Sequence, residues 1–171
     1  MKHNFYFTVF LFCILVLSCY KPDDGSIPEP FIATSSSFSG YKTWKLESTT
    51  KGPAILLGAA HQGLNDSVTR KVYFKDGKTR VGSSYPIGTL IVKEATDTSG
   101  KVIEVTAMAK RGNSFNASAG NWEWFVLNTN GTGSILKDST GIEMRGGATM
   151  MGGMCNSCHN AASAKDFTFS K

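Results

Sequence analysis

Cysteine and histidine are scarce in this sequence, four and three among 171 residues, and each scarcity excludes something. Two of the cysteines, Cys13 and Cys19, fall at an N-terminal apolar run, so no structural disulfide is expected in the folded part. A closed zinc site would need a second pair of ligands beside Cys155 and Cys158, and the histidines elsewhere are His3, within the leader, and His61. No lysine- or arginine-rich block is present: the net charge of +5, which becomes +4 if Lys2 leaves with the leader, is scattered along the chain. Nucleic acid is therefore not expected as a partner, and the basic balance instead favours solubility and encounter with acidic partners. Apolar runs of membrane-spanning length are missing too, since residues 5–17 are too short for a normal span. No internal repeat is apparent.

What is present divides into leader, tether and domain. Lys2 followed by the apolar run of residues 5–17 reads as an export signal, expected to be removed. The run closes on Leu15-Val16-Leu17-Ser18-Cys19, similar to a bacterial lipoprotein box, which makes residues 1–18 a signal peptide and Cys19 the expected lipidation site. Acyl chains on that sulfur, at about 0.8 kcal/mol per buried methylene, would hold the protein on a bilayer of the bacterial cell envelope, at the periplasmic side or outer membrane. The alternative is ordinary secretion. Residues 19–40 carry Pro22, Pro28, Pro30 and Ser35-Ser36-Ser37 and read as a flexible tether. Residues 41–171 then form one domain with chain enough for a core.

Within it lies Cys155-Asn156-Ser157-Cys158-His159, two thiols three positions apart followed at once by an imidazole. This is the attachment pattern for one covalent haem c: each sulfur can bond a vinyl group along one porphyrin edge, and His159 can ligate the iron. A thioredoxin-like dithiol would want a strand ahead of it in a βαβ unit, whereas residues 144–154 are rich in glycine and methionine. Met150, Met151 and Met154 precede the motif too closely to cross to the opposite side of the iron and read as flexible packing.

The rest of the domain has the period of strands. Tyr41, Trp44 and Leu46 have short helical spacing, but residues 68–74 alternate, with Val72 and Phe74 on one side, and Asp76-Gly77 turns the chain. Pro86-Ile87-Gly88 leads into the β-branched run ending at Lys93. Residues 102–109 divide into Val102, Glu104, Thr106 and Met108 on one face and Ile103, Val105, Ala107 and Ala109 on the other. Residues 122–127 carry aromatic side chains on both faces, with Asn130-Gly131 as a further turn. The expected fold is mainly β (α+β), an antiparallel curved sheet with a few helices and a C-terminal c-type haem-binding segment.

Several of these stretches together resemble the cytochrome P-460 family, which includes the cytochromes c′-beta. The resemblance runs from about Tyr41 to Phe169 and rests on Val68-Thr69-Arg70-Lys71-Val72-Tyr73-Phe74, on Tyr85-Pro86-Ile87-Gly88-Thr89-Leu90-Ile91-Val92-Lys93-Glu94, on Gly120-Asn121-Trp122, and on the haem motif followed by Asp166-Phe167-Thr168-Phe169. Ile87 stands where the family usually has Asp. The resemblance implies a His-ligated haem with an open or apolar-capped distal side. It also implies that Lys93 matches the lysine bonded to the porphyrin in hydroxylamine-oxidising members; the alternative for Lys93 is a solvated strand-end lysine. Thr106 matches the position of the distal carboxylate of those members, and threonine cannot serve as their proton acceptor. Glu104 and Met108 share its face, Glu104 as a candidate pocket group or a solvated strand-edge side chain, Met108 as a cap or core residue. Arg70 could pair with a haem propionate or sit on the surface opposite a strand carboxylate, and His61 reads as a surface histidine.

Three functions follow as expectations. The favoured one is a cytochrome binding nitric oxide or a similar nitrogen-oxide ligand; the first alternative is a hydroxylamine or nitric oxide oxidoreductase with a Lys93–haem cross-link. The second is electron transfer to a redox partner protein, which wants a further strong axial ligand. A homodimer is compatible with any of them.

Overall fold

The computed structural model describes residues 28–58 and 60–169. The signal-peptide reading of residues 1–18 and the lipidation of Cys19 lie outside these residues. No helix among those described is long and apolar enough to cross a membrane.

Six strands form one antiparallel sheet in chain order: β1 Lys45–Lys51, β2 Thr69–Phe74, β3 Leu90–Thr96, β4 Val102–Lys110, β5 Trp122–Leu127 and the short β6 Arg145–Gly146. The mainly β expectation holds, and the alternation explains why. Leu90, Val92, Val105, Ala107, Phe125 and Leu127 point to one face and close a core with Phe38, Tyr41 and Ile135. Phe74, Ile91, Met108 and Trp124 point to the other, where Val72, Val126 and Cys155 pack with them. The register sets two rows across this second face, Ser48, Val72, Lys93, Thr106 and Val126 in one and Phe74, Ile91, Met108 and Trp124 in the next. One face of the sheet is thus an ordinary core, and the other is floor for the site. The turn before β3 takes a form that only glycine fits well: Thr89 N–H donates to the Pro86 carbonyl at 3.1 Å and Gly88 has φ +85°.

Two sequence expectations change. Helical spacing around Tyr41 extends only through a 3-10 turn, Tyr41–Thr43, and Leu46 belongs to the edge strand β1. Secondly, the stretch counted as tether is partly domain. Phe31 N–H bonds the Arg111 carbonyl, Ala33 and Phe38 are fully buried, and Phe38 meets Phe125 edge-on at 4.9 Å. Burying one such aromatic side chain contributes about 1.5–3 kcal/mol, which a free tether forgoes. Prolines ahead of these residues and the serine run before Phe38 hide them from a compositional reading.

Helix α1, Met154–His159, carries the Cys-x-x-Cys-His motif and lies at the second face of the sheet, held there by its middle residues. Asn156 accepts a hydrogen bond from Trp124 Nε1 at 2.7 Å and exchanges two with the Asn116 amide, at 2.8 and 3.0 Å. A side chain between the two cysteines therefore fixes the helix to β5.

Candidate haem site

Between α1 and the sheet is a cavity of about 790 Å³ lined by Cys155, Cys158 and His159 on one side and by Val72, Phe74, Ile91, Lys93, Glu104, Thr106, Met108, Trp124 and Val126 from the strands. The size falls in the upper part of the roughly 300–1,000 Å³ range of small-molecule and cofactor sites. Neither cysteine is in a disulfide. Their spacing of three on a helix puts both sulfurs on one side of α1, facing the same cavity.

His159 is oriented by several contacts. Its Nδ1 donates to the Phe167 carbonyl at 2.6 Å, which leaves Nε2 as the free lone pair. Its ring lies against Trp124, centroids 4.5 Å apart, and against Phe169 at 5.3 Å. Burial pushes the imidazole down to about 4, the Phe167 hydrogen bond opposing, so it is neutral and available as a ligand at neutral pH. The carbonyl that orients it comes from a tight bend in which Asp166 and Phe167 both adopt positive φ, 53° and 60°. Non-glycine residues in that region cost on the order of 1–3 kcal/mol each, and persist where the surroundings fix them. Here the Asp166 carboxylate fixes the bend: it receives Lys110 Nζ at 2.6 and 2.7 Å and Tyr85 N–H at 2.7 Å, while the Asp166 carbonyl accepts Trp122 Nε1 at 2.8 Å. Gly120 has φ +59° beside it, and a Cβ there would come within 2.7 Å of Asp166 Oδ1.

Across the cavity is a polar group. His61 Nδ1 is 2.9 Å from Glu104 Oε1, Gln62 Nε2 reaches Glu104 Oε2 at 3.4 Å, and Thr106 Oγ1 is 3.3 Å from His61 Nδ1. Burial pushes the Glu104 carboxyl up, but the hydrogen bond and charge of His61, with Gln62 and Lys93, outweigh it and hold the carboxyl below its usual range. Lys93, in register with Thr106, is also shifted downward, but here burial, the largest cause, drives the shift. Burial pushes its amine down to about 8, with the Arg70 charge acting in the same sense and Glu104 and Cys158 opposing. Near neutral pH an appreciable fraction of that amine is therefore uncharged, and so nucleophilic.

The sequence model for cytochrome P460 matches residues 38–170. The chain belongs to the cytochrome P460 family. None of the curated proteins compared with it matches. The residues of this cytochrome fit the group its family binds: an apolar slot of suitable volume, two thiols at one edge and a neutral imidazole with a free Nε2.

Lys93, Glu104 and Thr106, selected from the sequence of this cytochrome, line one cavity with Cys155, Cys158 and His159, as do Met108, Met150, Met151 and Met154. Glu104 is not a strand-edge side chain in solvent, because β4 is an interior strand and the carboxylate is bonded to His61 and Gln62. Arg70 is corrected as a surface residue: it is 1% exposed, donates through its guanidinium to the carbonyls of Gly52 and Gln62, and is not among the cavity-lining residues. His61 is also corrected. It is a cavity residue with a carboxylate partner that lies 43 positions away in sequence. Asn156 and Asp166 carry no site role in the sequence reading, yet they position the helix and the bend that orients His159.

Proposed function

We propose that this chain is an exported mono-haem c-type cytochrome in which Cys155 and Cys158 hold one haem, His159 ligates its iron, and nitric oxide or a similar small nitrogen-oxide ligand binds in the cavity under the sheet. The observation that carries this reading is the shared cavity, where the two thiols, an imidazole held by the Phe167 carbonyl and an aliphatic strand face converge. When bound, the haem supplies an iron able to take a diatomic ligand. The chain supplies the rest: Trp124 and Phe169 pack on His159, Val72, Ile91, Met108 and Val126 exclude water, and Thr106 offers a hydroxyl from the floor.

Titration of the purified, haem-loaded protein with nitric oxide from a donor compound tests this, and a saturable change of absorption at one equivalent is expected. A spectrum indifferent to nitric oxide at millimolar concentration would leave electron transfer to a partner protein as the better reading.

A second reading, hydroxylamine oxidation with Lys93 bonded to the haem edge, is favoured by one observation: Lys93 shares the cavity with Glu104 and has an amine pushed down to about 8. If the bond exists, a tryptic digest contains the haem peptide with Cys155 and Cys158 joined to the Lys93 peptide, and Lys93→Ala restores an ordinary c-type spectrum. Forming the bond replaces an amine N–H and a ring C–H by an N–C bond and releases two protons and two electrons, so it needs an added oxidant such as a peroxide. With that oxidant supplied to the haem-loaded protein, its yield should increase as pH rises through about 8, since only the uncharged amine is a nucleophile. Recovery of the unmodified Lys93 peptide in full yield leaves ligand binding alone.

Export and anchoring belong to the same proposal and rest on Lys2, the apolar residues 5–17 and Cys19. Cys19→Ser should move the mature protein from the membrane fraction to the soluble one, and a wild-type mature chain without acyl mass would leave secretion.

A further inference from the structure

The site contains a second imidazole that neither the haem motif nor the family resemblance uses. His61 faces His159 across the cavity with ring centroids 6.3 Å apart and ring planes at 88°. Two imidazoles bonded to one metal from opposite sides, with metal–nitrogen bonds of about 2.0–2.1 Å, hold their ring centres about 6.4 Å apart. The two rings are also prepared in the same way: His159 Nδ1 is engaged by the Phe167 carbonyl and His61 Nδ1 by the Glu104 carboxylate, so the free lone pair of each is on Nε2. An imidazole whose other nitrogen donates to a carboxylate is a common arrangement for metal ligation, because that partner fixes the tautomer and raises the basicity.

The local backbone serves the same placement. His61 and Gln62 both have positive φ, 51° and 57°, a conformation non-glycine residues rarely hold in succession. The loop that carries them is tied at both ends to one side chain, since buried Arg70 donates to the Gly52 carbonyl and, at 3.5 Å, to that of Gln62. Ala54 N–H bonds the Gly63 carbonyl at 2.7 Å and closes the loop on itself. Gly63 is packed so closely that a Cβ would come within 2.5 Å of the Gly58 carbonyl oxygen.

We infer that His61 is a second axial ligand of the haem iron, with Glu104 and Arg70 as its positioning residues, so that the resting protein holds iron between two imidazoles and an external ligand must compete with His61. This rests on the proposed role of His159 as proximal ligand, and it changes the distal side expected from the resemblance, from open or apolar-capped to imidazole-capped.

The test is electron paramagnetic resonance and absorption of the oxidised, haem-loaded full chain without added ligand. A low-spin, six-coordinate spectrum is expected for the wild type and a high-spin one for His61→Ala, with millimolar imidazole returning the variant to low spin. His61→Gln serves if the alanine variant folds poorly. Glu104→Gln should stay low-spin but shift its g-values and raise the midpoint potential, a readout that a merely structural Glu104 would not move. If His61 holds the position nine-tenths of the time, nitric oxide should bind about tenfold more tightly to His61→Ala, since apparent affinity scales with the competent fraction. A high-spin wild type, or a low-spin spectrum retained in both His61 variants and lost in Lys93→Ala, overturns the inference and leaves His159 in place. A low-spin wild-type spectrum that His159→Ala does not alter would instead overturn the proximal assignment.

Discussion

Asp166→Ala should lower the stability of the haem-loaded protein by about 3–5 kcal/mol, the cost of leaving a buried charge without its partner. Lys110 Nζ lies 2.6 and 2.7 Å from the two Asp166 oxygens, and the side chains are 7% and 5% exposed, so water cannot replace the lost carboxylate. The alternative neighbour for the ammonium is the Trp122 ring, 5.1 Å to its centroid, worth about 2 kcal/mol when desolvated and already present in the wild type, so it does not replace the carboxylate. Tyr85 N–H would lose its acceptor as well. In urea unfolding the midpoint should fall with the slope unchanged. The double variant Lys110→Met, Asp166→Asn should recover most of the loss, because no charge is stranded, asparagine still accepts from Tyr85 N–H, and it tolerates the positive φ of this position. A loss under about 1 kcal/mol for Asp166→Ala would mean the pair contributes little.

The consequence reaches the site. Asp166 holds the bend whose next residue, Phe167, offers its carbonyl to His159, and Trp122 ties the same bend to β5. A single carboxylate thus links the end of β4 to the orientation of the His159 imidazole. The closing Asp166-Phe167-Thr168-Phe169 stretch noted in the resemblance thereby acquires a physical reason: a left-handed pair that turns one carbonyl toward a histidine and packs Phe169 beside its ring.

The strands could be read in the sequence where one face is buried against a core and the other against the cavity, because both sets of side chains then keep a period of two. In β4 the division of Val105, Ala107 and Ala109 from Glu104, Thr106 and Met108 is the one observed. Strand β1 was not legible, since its one large apolar residue, Leu46, is 49% exposed and the strand is specified by its ladder to β2. The half of the site carried by α1 was visible because its residues are adjacent in the chain. The opposite half depends on contacts with no local signature: His61 meets Glu104 over 43 positions and Asp166 meets Lys110 over 56. One hint was available, namely that strand parity places Glu104 on the same face as Thr106 and Lys110, which puts charged side chains on a face otherwise apolar. Such groups need partners from outside the strand, and a loop histidine and a C-terminal aspartate supply them.

Replacing both Cys155 and Cys158 by serine should abolish covalent haem, whereas either single change should leave at most one thioether and a lower yield of loaded protein. Both thiols line the cavity, and burial pushes the Cys155 thiol up, so it enters the reaction as S–H. Adding S–H across a vinyl double bond moves the proton to the vinyl carbon and consumes no oxidant, so two free thiols in one cavity are sufficient from the protein's side. His159→Ala separates attachment from ligation: both sulfurs remain, but the imidazole held by Phe167 is gone, and the iron should lose its proximal nitrogen while the haem stays on the chain. Extraction of the denatured protein with acidified organic solvent reads the first property and the absorption spectrum of the folded protein reads the second. Haem released from the wild type on extraction would exclude the thioethers, and a double serine variant that retained haem would place the bond elsewhere, with Lys93 the next side chain to examine.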